Sequence, residues 1–440
     1  MKALPQSSLR SLEMALRMSN DKPLGEVREL IAIELEFRGA KEAIFAPFLP
    51  LFQPRSDGLI AVIFPGWLLD RLWASLEIRE TELYTQSRYA LRGLRTEDPT
   101  PVVFYRLITA AAAICREHSE DLLPKNAEPG DRDFVTEFAH YLDLHRIVRT
   151  ALARLPDYYG RIDAEKATAL RLMFKDACEF NFESGYRFIE VIFANLEDGA
   201  QVIKFVATVS DRPKDRFLAE SELADFGERI LDKIEGDLKE LQSFMGNKNR
   251  ICTDLGIAGE RLAQGLVQLQ SFEHYIELSR DGPWGKRVAA SHKLIAELVE
   301  AQLNGAERVL DAVLPMKAER VYGRVKREVP FLAGYPKSEA VAHARQVLAF
   351  IRQVRNAASA GGFATLHTKT HQTLEIMLDA YFTELLGLAN GGDPFDQDQL
   401  MAFFELVTDL MEALCGEEKG NVGRRRVASS DIMNPSKSVA

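Results

Sequence analysis

Residues 223–245, LADFGERILDKIEGDLKELQSFM, decide the fold class. The apolar positions Leu223, Phe226, Ile230, Ile234, Leu238, Leu241 and Met245 follow one another at steps of 3, 4, 4, 4, 3 and 4. Such steps average close to an α-helical turn and draw one continuous stripe, whereas a strand would alternate every second residue. A stripe of this kind must pack against another helix. After Gly246-Asn247-Lys248-Asn249 it resumes through Ile251, Leu255, Leu262, Leu266, Leu269, Phe272 and Ile276. The short break predicts an antiparallel helical hairpin in preference to one long broken helix. The order of threes and fours is too irregular for an extended coiled coil, so bundle packing is expected.

Outward from this hairpin the same spacing predicts helices over 24–38, 59–78, 80–95, 101–118, 131–153 and 163–208. Beyond it, helices are expected over 287–314, 316–329, 338–358, 363–389 and 396–415. Breaks rich in Pro and Gly fall near 124–130, 210–214, 281–285, 330–336 and 390–394, and no strand-like alternation is apparent. The expected fold is all-α, a multi-block antiparallel helical bundle with long helices and a disordered C-terminal tail. Its expected parts are an N-terminal helical block over 1–127, a middle long-helix block with the hairpin over 128–281, and a C-terminal bundle over 284–416. Residues 417–440 lose apolar periodicity, carry Arg424-Arg425-Arg426 before Ser429-Ser430, and are expected to form the disordered basic tail.

The 440 residues are 46% apolar, enough for a sizeable core in each block, and the net charge of −10 argues against bulk nucleic-acid binding. Cys115, Cys178, Cys252 and Cys415 are far apart with no CxxC pair, as expected of buried thiols in a reducing cytoplasm. The most lipid-like stretch, Ile44 to Leu69, holds Pro47, Pro50, Pro54 and Pro65 with Arg55 and Asp57. It is too interrupted to span a bilayer and reads as a buried, kinked connection. With Trp67 and Trp73 nearby, its sharper reading is an interfacial anchor.

Three polar constellations stand out. His367 and His371 lie four apart on one expected helix, with Glu375 and Asp379 continuing the interval, so His367, His371 and Glu375 could ligate a divalent metal; the plainer reading is hydrogen-bonded histidines on a helix shoulder. Glu137 falls among Phe134, Tyr141, Leu144 and Val148 on the apolar side of its helix, three residues before His140. A carboxylate there needs a partner, and Asn181 and Gly185 on the apolar face of a later helix suggest a small polar pocket of Glu137, His140 and Asn181. Lys317, Arg320, Arg324 and Arg327, at steps of 3, 4 and 3, would form a cationic ridge on a helix over 316–329, extended by Arg345, Arg352 and Arg355. Eight acidic residues in 219–243 could supply internal counter-charge. Gly282-Pro283-Trp284-Gly285-Lys286 resembles a phosphate loop but lacks its spacing and its preceding strand, so it reads as a turn with Trp284 closing a hydrophobic seam.

No complete catalytic or cofactor signature is present. The expectation is therefore a non-enzymatic cytoplasmic scaffold, adaptor or regulator, binding proteins of acidic surface, or a second copy of itself, through helix faces and the ridge. One alternative is a helical-bundle protein or enzyme that binds a metal or a small ligand. A second is a peripheral membrane-associated protein.

Overall fold

The computed structural model describes residues 6–17, 22–92, 94, 98–181, 183–246, 255–321, 325–390 and 396–429. Among the described residues the chain is all-α apart from one β-hairpin, and it gathers into two compact units. The first comprises Met1–Pro213 with Glu220–Phe226, and the second Lys214–Ala219 with Gly227–Ala440. The stretches expected as separate N-terminal and middle blocks thus pack together up to Pro213. Among the described residues no helix is long and apolar enough to cross a membrane.

In the first unit run α1 (Gln6–Leu16), α2 (Lys22–Arg38), α3 (Ala40–Phe45), α4 (Gly66–Arg79), α5 (Thr81–Ala90), α6 (Val102–Glu117), α7 (Ser119–Leu122) and α8 (Asp131–Asp143). They are followed by α9 (His145–Tyr159), α10 (Ala164–Cys178), α11 (Ser184–Asn195) and α12 (Gly199–Val209). Helix α6 packs on α8, α5 and α4, and α11 packs on α10, α8 and α9. The stretch expected as one long helix over 163–208 is three helices, because α10 ends before residues 179–183 and Asp198 caps α12 by accepting from the Ala200 amide. Residues 46–52 form a 3-10 segment containing Pro47 and Pro50, where missing amides forbid a regular α-helix. Ile44, Phe45, Phe48, Leu51 and Phe64 around it are buried, as expected of a kinked connection. Phe64 sits among the rings of Phe52, Phe134, Phe138 and Tyr141.

The second unit holds α13 (Asp215–Ala219), most of α14 (Ala224–Gly246), α15 (Leu255–Tyr275), α16 (Pro283–Asp311), α17 (Ser338–Gln353), α18 (Ala364–Asn390), α19 (Gln397–Cys415) and α20 (Glu417–Ala428). The stripe that opened the sequence is buried from Leu223 to Leu241, and its continuation is buried from Leu255 to Ile276. Met245, by its side chain, and Ile251 lie outside the described residues. Ile234 packs over Gly265 and Glu240 pairs with Arg261, so α14 and α15 run antiparallel as the hairpin reading expects. Helix α15 packs on α17, α17 on α19, and α19 on both α18 and α20.

Two expectations are corrected here. Residues 316–330 form an antiparallel pair, β1 (Met316–Val321) and β2 (Val325–Pro330), in place of a helix. Three valines favour extended backbone, Gly323 weakens any helix through the middle, and Pro315 and Pro330 bound the segment. These local terms outweigh the helical spacing of the cations. In addition, the stretch expected as a disordered tail begins with helix α20, seated on α18 and α19; residues 430–440 lie outside the described residues.

Candidate functional sites

The pocket expected at Glu137, His140 and Asn181 is occupied by a side chain that sequence spacing missed. Arg187, on α11, donates from Nε and Nη2 to the two carboxylate oxygens of Glu137 at 2.5 and 2.9 Å. It also reaches Asn181 Oδ1 at 3.2 Å and Glu183 Oε2 at 2.6 Å. Burial works against the Arg187 charge, but the bonds to Glu137 and Glu183 outweigh it and hold its pKa above the ordinary arginine value. Glu137 and Asn181 are therefore brought together, through a guanidinium fork, while His140 adds no bond to the cluster among the described residues. Gly185 permits the close approach of α10 to α11: a Cβ there would lie 2.5 Å from Cys178 Sγ. Helical spacing could not have found it, because at 100° per residue Arg187 stands roughly 130° from the centre of the face that carries Asn181, Gly185 and Phe188.

Deeper in the same unit, Glu190 is fully buried and accepts from the Val62 amide at 2.6 Å. Arg55 pairs with Asp57, donates to the Phe193 carbonyl and lies 4.4 Å from the Phe193 ring centre. Burial, with Glu190 and Glu137 nearby, raises the Tyr141 phenol well above its ordinary pKa.

Cations also terminate helices. Arg149 reaches the carbonyls of Ala43 and Ile44 at the end of α3, Arg71 that of Leu123 just past α7, and Lys204 those of Tyr158 and Gly160 at the end of α9. Each satisfies carbonyls that a helix end leaves without an amide partner and meets the negative end of the helix dipole. Burial lowers the pKa of both Arg149 and Lys204. Arg352, expected on the ridge, also lies at a helix end, donating at 3.0 Å to the Glu412 carbonyl of α19, which accepts from the Gly416 amide as well.

The phosphate-loop lookalike has acquired an internal anion. Asp215 is buried, and its carboxylate accepts from the amides of Trp284 and Gly285, each at 3.0 Å, and of Ser279 at 3.3 Å. It thereby occupies the N-terminal end of α16, where free amides favour an anion. Gly282 and Gly285 make room, since a Cβ at either would collide with Asp215 Oδ2 or the Ser279 carbonyl. Trp284 is fully buried against Phe272 and Gly227, as the seam reading expects, and its indole donates to Glu228 at 2.6 Å. Arg287 gathers Glu228, Asp232 and Glu235. Of the acidic residues of α14, Glu228, Asp232 and Glu235 thus pair with α16, Asp237 with Lys233 of α14 itself and Glu240 with Arg261 of α15.

At the expected metal set, His367 is buried with Nε2 2.8 Å from the Ile351 carbonyl, and the His371 ring centre lies 6.1 Å from its own. Burial lowers the His371 pKa. Glu375 and Asp379 both accept from Lys419 of α20, at 3.0 and 2.9 Å. The ligand-like interval is therefore spent on a carbonyl and an ammonium. Among the described residues no group of three or more His, Cys, Asp or Glu side chains is placed to hold a metal ion.

The ridge itself is redistributed. Lys317, exposed, lies opposite Val329 in the hairpin register, Arg320 opposite Lys326, and Arg327 opposite Glu319. Arg324 lies outside the described residues, as do the side chains of Arg320 and Arg327. The backbone of the two strands repeats every two residues in place of the helical turn, so steps of 3, 4 and 3 do not mark a face there. Arg345 and Arg355 are exposed on and just after α17. Of the three described cysteines only Cys115 is buried, which pushes its thiol up to about 12; Cys178 is exposed and Cys415 half-buried. Compared with protein-family models, curated proteins and solved structures, the chain finds no match.

Proposed function

We propose that this chain is a non-enzymatic cytoplasmic scaffold or adaptor that engages an acidic protein surface through the hairpin β1–β2. The observation that carries this reading is the charge of the hairpin. Residues 316–330 hold five cations, Lys317, Arg320, Arg324, Lys326 and Arg327, and two acids, Glu319 and Glu328, in a chain whose net charge is −10. In the backbone register Arg320 is the partner of Lys326 and Lys317 that of Val329. At its base Met316, Phe331 and Tyr335 expose apolar surface, the composition of an anchor beside a charged rim. The other polar constellations have internal partners: Arg187 fills the pocket, Asp215 the helix end, and Lys419 takes the carboxylates beside the histidines.

The test is affinity capture of the tagged protein from its own host, quantified by mass spectrometry beside the variant with Lys317, Arg320, Arg324, Lys326 and Arg327 changed to Glu. The expected result is an acidic partner depleted about tenfold or more in the variant while its helical circular-dichroism signal is unchanged. An identical set of captured proteins rejects the hairpin as the interface.

A further inference from the structure

Helix α20 is held to its neighbours in an unusual way for a packed helix. It carries only two large apolar side chains, of which Val427 is buried and Val422 exposed. Its seat is ionic. Lys419 bridges Glu375 and Asp379 on α18, Arg424 bridges Asp409 and Glu412 on α19 at 3.1 and 2.5 Å, and Arg426 lies 5.2 Å from the Phe382 ring centre. Burial opposes the Lys419 charge, yet its bonds to Asp379 and Glu375 keep its pKa above the ordinary lysine value. Gly420 and Gly423 bring the backbones together: a Cβ at either would come within 2.8 Å of Glu412 Cβ or 2.9 Å of Thr408 Cγ2. Under its last turn a cavity of about 430 Å³ remains, lined in part by Met401, Phe404 and Thr408.

The connection is equally distinctive. Helix α19 ends at Cys415 and α20 begins at Glu417, so Gly416 alone, at φ +97°, folds one helix back on the other. Without that left-handed residue the two would continue as one helix, and α20 would leave its own seat.

We propose that the acid-rimmed face of α18 and α19 is a receiving site for a basic, glycine-bearing helix, filled here by α20 and able to take the α20 of a second copy by exchange about Gly416. Charge complementarity selects this occupant, since Lys419 and Arg424 match four carboxylates that no other described cation bridges in the same way. Exchange between copies preserves every one of these contacts and changes only the hinge, which makes it a low-cost route to a dimer. The ion pairs sit at partly exposed positions, so the seat is sensitive to salt.

Two full-length variants test this. One carries K419E and R424E; the other carries E375K, D379K, D409K and E412K. In each alone the charges of helix and seat repel, so amides of 417–429 should exchange with deuterium about tenfold faster than in the unaltered chain. Mixed, each supplies the helix the other's seat accepts, and light scattering should show a 1:1 heterodimer that neither forms by itself. Unchanged exchange in both variants, or no heterodimer on mixing, overturns the proposal. Should the fourfold reversal prevent folding, Gly416→Ala tests the same exchange with every charge in place. A concentration-dependent dimer with α20 still protected supports it, and a monomer at every concentration refutes it.

Discussion

Replacement of Asp215 is the sharpest probe of how the second unit is held together. In Asp215→Ala the amides of Trp284 and Gly285, both buried, and the more weakly bound amide of Ser279 lose their acceptor. Each buried amide left unpaired costs roughly 1–3 kcal/mol. Loss of the negative charge at the start of the 29-residue α16 adds about 0.5–1 kcal/mol, and water entering the vacated space returns part of the total. The expected loss is about 3–4 kcal/mol. Asp215→Asn keeps one acceptor oxygen and should lose about half as much. Urea unfolding followed by Trp284 fluorescence, with Trp67 and Trp73 changed to Phe, reports on this unit. At a slope of about 2 kcal/mol per molar urea, the Ala variant should unfold about 1.5–2 M earlier. A loss below about 1 kcal/mol for Ala, or equal losses for Ala and Asn, would refute the view that this carboxylate secures the turn by accepting from its amides.

Lys204→Met should destabilise the first unit by about 1–3 kcal/mol, because the carbonyls of Tyr158 and Gly160 lose their donor; an unchanged urea midpoint contradicts the capping role. His145 is buried, with its pKa depressed chiefly by that burial. Its contribution is therefore present above its ordinary value of 6.5 and is lost as pH falls through the lower folded value, where the unfolded chain takes up the proton first. His145→Gln should flatten the fall in unfolding free energy just below about pH 6.5, and an identical slope in the variant speaks against the assignment. Gly227→Ala would place a methyl 2.5 Å from the Trp284 ring, and overpacking there should cost about 1–3 kcal/mol and shift the Trp284 emission; a silent substitution would mean that the contact is loose.

Much of the fold was legible because helical periodicity is a local property. The stripe from Leu223 to Leu241 had to be buried wherever it packed, and it is. The proline-broken stretch near Phe48 had to kink, since proline removes amides whatever surrounds it. Glu137 does pair with Arg187, but its side chain is 39% exposed, so apolar spacing alone did not demand that pairing. The sequence by itself therefore determined the helix class, most of the helices and the buried stripe.

Which groups meet was decided by the tertiary structure. Arg187 is fifty residues from Glu137, Asp215 sixty-nine from Trp284 and Lys419 forty-four from Glu375, and no periodicity relates such pairs. The cations of 316–330 show the converse: their helical spacing was real, but spacing carries no energy, and valine, glycine and proline set the backbone there. Helix α20 looked like a solvated tail because its own apolar content is too small to bury. It is ordered by carboxylates that only the packing of α18 against α19 assembles, and a long-range electrostatic seat leaves no pattern in the segment that occupies it.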